Sequence, residues 1–170
     1  MRPFHTLTEQ LASRLLANNY TVATAESCTG GGIGACLTGL AGSSTWFHGG
    51  IISYTDKSKQ ELLGVSLDSL KTHGAVSEAV VREMAQGARR KLDTSLAVAV
   101  SGVAGPDGGS DEKPVGTVWI GWVNQDGFVS SRCFHFAGDR YAVREATIEA
   151  ALEGLISLLE QPIGKVDERP

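Results

Sequence analysis

Apolar residues follow helical spacing in some segments and a strand pattern in others, and the two kinds of segment alternate along the chain. A first amphipathic helix with a capping box at its start is predicted from Thr6, Leu7, Glu9, Leu11 and Leu15. The next predicted elements are a strand at YTVATA, a helix from about Gly30 to AGSS, a strand at GGIISYT and a short helix through KSKQELLG.

The second half of the chain continues this alternation. Ser77 is expected to cap a helix whose apolar face carries Val80, Val81, Met84 and Ala88. The segment SLAVAVSG is apolar almost throughout, which is typical of a strand covered on both faces and predicts a central position in the sheet. VGTVWIGWV and FVSSRCFHF are joined through NQDG, a hairpin signal in which Gly127 supplies a positive φ.

A last helix is expected from about Asp139 to Glu160, and the polar tail from about residue 162 is expected to be loose. Helices must cover both faces of the buried strands. The order of elements therefore predicts an α/β fold, a three-layer α/β/α sandwich with a mixed, mostly parallel central sheet. With 170 residues and no repeat or linker, the chain is expected to form a single domain over residues 1–170.

Composition narrows the classes of partner. The formal net charge is −4, the sequence pI is about 5.5 and no basic stripe occurs, so we expect a small-molecule partner rather than nucleic acid or a membrane. The sequence has neither an apolar run long enough for a bilayer nor a signal-peptide pattern, which favours a cytoplasmic location. Cys28, Cys36 and Cys133 form no even framework and are expected to be free thiols.

Three loops with chemical potential follow predicted strands, namely AESCTGGG, SYTDKSK and SGVAGPDGG. Ligands of open α/β sheets bind beyond the carboxyl ends of the strands, so these loops are expected to converge on one site. The first loop turns into a helix through Thr29–Gly32, where free amides and the positive end of the helix dipole could hold a phosphate or an oxyanion. A tight turn that needs glycine for its dihedral angles explains the same residues equally well.

Ser27 and Cys28 are the candidate nucleophiles at the start of this turn. Ser27 could instead be a helix cap, and Cys28 could be a small buried hydrophobe. The four histidines, His5, His48, His73 and His135, do not neighbour the motif loops and lack metal-ligand spacing, so neither a histidine base nor a metal site is expected.

Lysine is the other candidate base. Lys57 and Lys59 follow a strand end, but an ordinary lysine has a pKa of about 10.4 and is usually solvated, so desolvation or a nearby cation would have to keep it neutral. Arg140 and Arg144 lie four residues apart near the start of the last helix, and they could clamp a phosphate or form a surface pair with nearby glutamates.

Together, AESCTGG, GAVSE, SGVAGPDGGSDEKPVGTVW and GDR…VR resemble the nicotinamide-nucleotide amidase family, which is similar to the C-terminal domain of competence-damage-inducible CinA proteins. The resemblance runs from about Leu7 to Leu159. It implies hydrolysis of nicotinamide mononucleotide to nicotinate mononucleotide and ammonia in the recycling of pyridine nucleotides, without a metal or other cofactor. It also implies self-association, for which Trp46, Phe47, Trp119 and Trp122 are interface candidates, although core packing explains most of them.

By this resemblance, Ser27 is the nucleophile and Lys59 its base, with Tyr54 orienting the pair. The remaining expected contacts are backbone amides at Cys28, Thr29, Gly30 and Gly31 for an oxyanion, and Arg140 or Arg144 with the backbone of Gly102, Ala104 and Gly105 for the phosphate. Asp56 stands where relatives commonly carry asparagine, and its charge would raise the pKa of Lys59. This leaves two alternatives open, a non-catalytic nucleotide-binding module and an amidase that uses Cys28.

Overall fold

The computed structural model describes residues 4–160, and the predicted loose tail lies outside them. The helices are α1 (His5–Asn18), α2 (Gly32–Thr38), α3 (Asp56–Leu63), α4 (Leu67–His73), α5 (Glu78–Leu92) and α6 (Arg140–Glu160), with a 3-10 turn at Ser43–Thr45. The strands are β1 (Val22–Glu26), β2 (Phe47–Ile52), β3 (Leu96–Gly102), β4 (Thr117–Asn124) and β5 (Val129–His135).

The five strands form one mixed sheet in the order β2-β1-β3-β4-β5. β1 pairs in parallel with β2 and β3, whereas β4 pairs antiparallel with both β3 and β5. β5 therefore runs in the same direction as the three parallel strands. This arrangement confirms the predicted mixed sheet, and it brings the carboxyl ends of β1, β2 and β3 to one edge.

Helices cover both faces of the sheet. On one face, α1, α2 and α6 pack against β1, β3 and β4 through a cluster that includes Leu15, Ile33 and Leu155. On the other face, α3, α4 and α5 pack against alternate residues of the same strands through a cluster that includes Met84 and Ala99. The predicted three-layer α/β/α sandwich is confirmed, with β3 in the middle of the sheet and buried at all but its last residue.

The hairpin and the last helix also agree with the sequence. Gly127 has a φ of 86° between β4 and β5, and α6 begins at Arg140, where the Asp139 carboxylate accepts a hydrogen bond from the Ala142 amide. Trp46 and Trp122 are buried in the core, which fits the packing alternative for these two aromatic residues. Within residues 4–160, no helix has the length and apolarity needed to cross a bilayer.

The predicted capping box of the first helix is wrong. α1 begins at His5, so Thr6 lies inside the helix, and the preceding residue Phe4 makes no side-chain cap hydrogen bond. Thr8 instead donates its hydroxyl to the Phe4 carbonyl oxygen at 3.0 Å.

The second helix is shorter than predicted, and one helix was not predicted. α2 spans Gly32–Thr38 only, because its glycine-rich start forms a turn: Gly30 and Gly31 both have positive φ. α4 follows Ser66, whose hydroxyl accepts a hydrogen bond from the Ser69 amide as a cap. Its short apolar pattern is too weak to identify a seven-residue helix from sequence.

Gly87 is expected to be required for the packing of α5 on α3. A Cβ atom at Gly87 would overlap the Leu63 carbonyl group. Gly87→Ala should therefore lower the free energy of unfolding by about 1–3 kcal/mol through overpacking, although alanine is the better helix former. Urea denaturation measures this effect, with Arg90→Ala on the exposed face of the same helix as the control. Equal or greater stability of Gly87→Ala would contradict the packing argument.

Candidate active site

Strand β1 sends two consecutive polar residues to opposite faces of the sheet. Successive side chains of a strand alternate, and here Glu26 turns towards α2 whereas Ser27, just after the strand, turns towards α3. Hydrogen bonds hold the backbone on both sides, since Ser27 N–H donates to Val100 O and Ser53 N–H donates to Glu26 O. Both side chains are buried, with 1% exposure for Glu26 and 8% for Ser27.

Ser27 and Lys59 meet at the carboxyl edge of the parallel strands. Lys59 lies in α3, and its side chain is 1% exposed. Its Nζ atom donates to Ser27 Oγ at 3.1 Å and to the carbonyl oxygen of Ser53 at 2.9 Å. A reciprocal capping box between Thr55 and Ser58 fixes the start of α3, so the helix presents Lys59 in a defined position.

The environment of Lys59 favours its neutral form. Burial lowers the pKa of the Lys59 ammonium, because the charged form loses hydration. The carboxylate of Asp56 acts in the opposite direction, as the sequence predicted, but burial is the larger effect and the net direction is downward. Asp56 itself is exposed. The amine can therefore serve as a proton acceptor at a pH below the usual range for lysine.

Glu26 occupies the amino end of α2, where the sequence predicted either a bound ligand or a tight glycine turn. Its carboxylate accepts hydrogen bonds from the amides of Gly31 (3.1 Å), Ile33 (3.0 Å) and Gly34 (2.8 Å). It also accepts from Thr29 Oγ1 at 2.6 Å. A buried carboxylate at a helix N-terminus is stabilised by these donors and by the dipole. These amides are therefore already engaged by the protein.

This arrangement reduces the set of candidate oxyanion donors. The Gly31 amide donates to Glu26, and the Gly30 amide donates to Ser27 O. Within residues 4–160, the amides of Cys28 and Thr29 make no hydrogen bond to another residue. These two amides therefore stay candidates, while Gly30 and Gly31 serve the turn through their positive φ angles.

The Cys28 thiol lies in the apolar core. It is 5% exposed and belongs to the cluster between the sheet and α1, α2 and α6. Burial raises the pKa of Cys28 to about 11. Because the thiolate is the reactive form, this environment argues against Cys28 as a nucleophile. Cys36 and Cys133 are also free thiols.

Arg140 connects two of the converging loops. Its Nη1 donates to Gly105 O at 2.9 Å, and its Nη2 donates to the Tyr54 hydroxyl at 2.9 Å. Tyr54 is 57% exposed and follows β2. Tyr54 is thus close to Arg140 and contacts neither Ser27 nor Lys59 by a hydrogen bond within the described chain. Its predicted role in orienting the pair finds no support in these contacts.

Arg144 contacts the turn that follows Ser27. Its Nη2 donates to Thr29 O at 2.9 Å, and its Nε is buried without a partner inside residues 4–160. Arg140 and Arg144 line the same cleft of about 620 Å³, together with Ala104, Pro106, Val115, Gly138, Asp139 and Tyr141. The cleft does not include Ser27 among its lining residues. It lies next to the Ser27 loop through Arg144.

The loop after β3 brings Gly102, Ala104 and Gly105 towards this cleft to different extents. A Cβ at Gly102 would approach Val118 Cγ2 at 2.6 Å, so this glycine allows close packing with β4. Ala104 lines the cleft, and Gly105 has a φ of 84° and offers its carbonyl oxygen to Arg140. The backbone at 104 and 105 is thus near the arginines, whereas Gly102 belongs to the sheet.

The remaining sequence candidates lie elsewhere. His48 contacts Leu92 O and His5 pairs with Glu9. Lys57 is exposed and faces Glu61 at 3.7 Å. In the part of the chain that the structure describes, no group of three or more His, Cys, Asp or Glu side chains could hold a metal ion.

Sequence reasoning missed Glu26. A signal for these contacts exists in the chain. Glu26 is a charged residue at the end of a fully buried strand, and the glycine-rich start of a helix follows five to eight residues later. A carboxylate near a helix N-terminus is a favourable pairing. From the sequence, these helix amides were expected either to hold a ligand or to belong to a tight glycine turn.

Comparisons with known proteins agree with this architecture. The family model described as CinA C-terminal domain matches residues 4–159. Nicotinamide-nucleotide amidohydrolase PncC of Enterobacter agglomerans is 48% identical over 157 residues, covering 92% of this chain and 94% of the relative. PncC of Escherichia coli K12 is 48% identical over 149 residues, covering 88% and 90% respectively. The crystal structure of competence/damage inducible protein CihA from Agrobacterium tumefaciens superimposes with a TM-score of 0.91 and 40% identity, covering 95% of this chain and 98% of that one.

Replacing Asp56 with asparagine should lower the pKa of Lys59 further. The substitution removes the charge that raises this pKa and leaves the burial that lowers it. An NMR titration that follows the Lys59 Cε signal measures the change. Asp68→Asn in the first turn of α4 alters the net charge equally at another helix and is the control. An unchanged or raised Lys59 pKa in Asp56→Asn would contradict the electrostatic assignment.

Proposed function

Because this chain belongs to the CinA C-terminal domain family, we propose that it hydrolyses the carboxamide of nicotinamide mononucleotide to nicotinate mononucleotide and ammonia. The names of its relatives support the substrate, since PncC proteins with 48% identity over most of the chain are nicotinamide-nucleotide amidohydrolases. The proposed steps use a Ser27–Lys59 pair. They would place the protein in the recycling of pyridine nucleotides.

The single observation that supports this mechanism is the 3.1 Å contact between Lys59 Nζ and Ser27 Oγ in a buried environment. A nucleophilic serine needs a base within hydrogen-bond reach, and the distance lies within that range. Burial lowers the pKa of Lys59, which favours the neutral amine that the mechanism needs as proton acceptor. In the neutral state, the direction of the hydrogen bond reverses and the Ser27 hydroxyl donates to the amine.

The first half of the reaction forms an acyl-enzyme. The Ser27 proton passes to neutral Lys59 while Oγ bonds to the carboxamide carbon, and the carbonyl oxygen becomes an oxyanion. The amides of Cys28 and Thr29 are the proposed donors to this oxygen; in other enzymes the loss of one such donor costs about 3–4 kcal/mol. Lys59 then gives its proton to the nitrogen, the carbon–nitrogen bond breaks, and ammonia leaves.

The second half regenerates the serine. A water molecule takes the place of ammonia, Lys59 again accepts a proton, and the resulting hydroxide adds to the ester carbon. The second tetrahedral intermediate collapses with breakage of the carbon–Oγ bond. Lys59 returns the proton to Oγ, and nicotinate mononucleotide departs. The same amine thus acts as base and acid in both halves.

We assign the phosphate of the substrate to the cleft beside Arg140. Arg140 is exposed, its two hydrogen bonds go to neutral oxygens, and it forms no ion pair with a carboxylate within residues 4–160. A guanidinium pairs well with phosphate. The pyridinium of the substrate is itself cationic and would help to keep Lys59 neutral, so binding the phosphate away from Lys59 favours the reaction.

The two alternatives are less well supported. A non-catalytic nucleotide-binding module is favoured only by Asp56, whose effect on Lys59 is smaller than that of burial. An amidase that uses Cys28 conflicts with the buried thiol, whose pKa is raised to about 11.

The dyad predicts a specific pattern of activity loss. Lys59→Ala should lower kcat for nicotinamide mononucleotide by roughly 10²–10⁴-fold through the loss of the base, and Ser27→Ala should lower it further. Cys28→Ala removes the thiol but keeps the backbone amide, so measurable turnover should persist. Ammonia release measured in parallel separates the three candidate functions.

Each contrary outcome has a distinct meaning. If the wild type releases no ammonia, the non-catalytic binding module is supported. Calorimetry should then detect binding of nicotinamide mononucleotide to the protein. Survival of Ser27→Ala together with loss in Cys28→Ala would overturn the serine mechanism.

Arg140 should discriminate the mononucleotide from its phosphate-free analogue. A charge-assisted hydrogen bond of roughly 1.5–3 kcal/mol corresponds to about a 10- to 150-fold rise in KM for nicotinamide mononucleotide in Arg140→Ala. The KM for nicotinamide riboside should change much less. Tyr54→Phe removes the partner hydroxyl and keeps the guanidinium, so it is the matched control. Equal changes in KM for both substrates would show that Arg140 does not bind the phosphate.

A further inference from the structure

The buried carboxylate of Glu26 lies next to Ser27 in the sequence, and the proposed reaction steps do not use it. Its two oxygens accept five hydrogen bonds, one of them a weaker contact of 3.3 Å from Thr24 Oγ1. All of its three backbone donors lie in the segment that follows Ser27. Removing a carboxylate from water is costly unless its hydrogen bonds are satisfied, and this site satisfies them.

The direction of these bonds determines the shape of the turn. Glu26 lies immediately before Ser27, and its side chain reaches forward to residues 29–34, so the chain between them must loop back over the carboxylate. This loop has two consecutive positive-φ residues, Gly30 and Gly31. Glycine reaches positive φ without steric cost but is also free to leave it, so contacts from other residues are needed to hold a single shape. Glu26 supplies those contacts from inside the loop.

A second contact holds the loop from outside. Arg144 donates to Thr29 O, while Thr29 Oγ1 donates to Glu26. Thr29 is therefore fixed at both its side chain and its carbonyl group. Its amide is one of the two proposed oxyanion donors, and a donor must be within a few tenths of an ångström of its productive position to stabilise the developing charge.

We propose that Glu26 is a positioning residue for the reaction proposed above: by binding Thr29 and the first amides of α2, its carboxylate fixes the turn that presents Ser27 and the Cys28 and Thr29 amides. The inference rests on the proposed function. Glu26 does not touch the reacting atoms, since its side chain lies on the α2 side of the sheet and Ser27 faces α3.

An alternative explanation is that the sheet alone positions Ser27. The Ser27 amide donates to Val100 O, and the Glu26 carbonyl accepts from Ser53, so the backbone is held without any side chain. In that case Glu26 would contribute stability only. Loss of Glu26 would then affect activity no more than any other equally destabilising change on α2.

Glu26→Gln tests the two explanations. The substitution keeps the size of the side chain but replaces one oxygen with an NH₂ group, which would face the Gly34 amide or the cluster of donors at Thr29, Gly31 and Ile33. We expect kcat for nicotinamide mononucleotide to fall by roughly 100-fold or more, with KM within about threefold, because misplaced catalytic groups affect the transition state more than binding.

The matched control is Leu37→Ala. Leu37 is fully buried in α2 and makes none of the Glu26 contacts, so the substitution destabilises the same helix without altering the turn. It should lower Tm at least as much as Glu26→Gln and leave kcat within about threefold of wild type, assayed well below the Tm of each variant. Equal kcat losses in the two variants at matched folded fraction would overturn the proposal.

Two additional measurements keep the test decisive. Thr29→Val removes the 2.6 Å hydrogen bond to Glu26 without removing a charge, and we expect at least about a tenfold loss of kcat even if Glu26→Gln fails to fold. Unchanged kcat in Thr29→Val would count against the proposal. Sulfonylation of Ser27 by phenylmethanesulfonyl fluoride, followed by mass spectrometry, reports the reactivity of the hydroxyl independently of the substrate. It should slow in Glu26→Gln and not in Leu37→Ala.

These results separate the two hypotheses. Wild-type protein that reacts with the sulfonyl fluoride but releases no ammonia from nicotinamide mononucleotide contradicts the proposed substrate and leaves the positioning role testable by sulfonylation. Wild-type protein that releases ammonia while Glu26→Gln matches Leu37→Ala in both assays contradicts the positioning role alone.

Discussion

The burial of the Lys59 amine is the constraint on which the rest of the site depends. A lysine that is 1% exposed needs hydrogen-bond acceptors, and the structure offers the Ser27 hydroxyl and the Ser53 carbonyl oxygen. Lys59 lies on α3, and α3 packs against α5. That contact is close at Gly87, which has no side chain to separate it from the end of α3. The chemistry of the amine therefore depends on packing between helices.

The two ionisable side chains on either side of the Ser27 loop are treated differently by the fold. Glu26 is surrounded by hydrogen-bond donors, and three of them are amides at a helix N-terminus. Lys59 donates to two neutral oxygens, and burial lowers its pKa. The carboxylate can thus serve as a structural anchor, whereas the lowered pKa of the Lys59 amine favours the neutral form that accepts a proton. The two side chains are equally buried, and they differ in the number and type of their hydrogen-bond partners.

The sequence predicted the sheet and most of the helices, because continuous apolar runs and turn residues are local signals. The central position of β3 and the hairpin at Gly127 are examples. The choice of Lys59 rather than Lys57 as the candidate base came only from the family resemblance, because both lysines follow the same strand. What local patterns did not reveal was which groups use the helix amides. The Glu26 contacts join residues five to eight positions apart through a turn whose shape depends on two positive-φ glycines, and spacing alone does not determine such a shape.

The position of β1 in the sheet has a consequence for how the protein matures. β1 lies between β2, which follows it directly, and β3, whose contacts to the start of β1 span 74 residues of sequence. During synthesis, Ser27 and Lys59 leave the ribosome well before the strand that completes the support of Ser27 through Val100. A nascent chain that ends before β3 has both reactive groups but lacks the strand that orders them. The hydrogen bond from the Ser27 amide to Val100 O can therefore form only after this long-range strand pairing has closed.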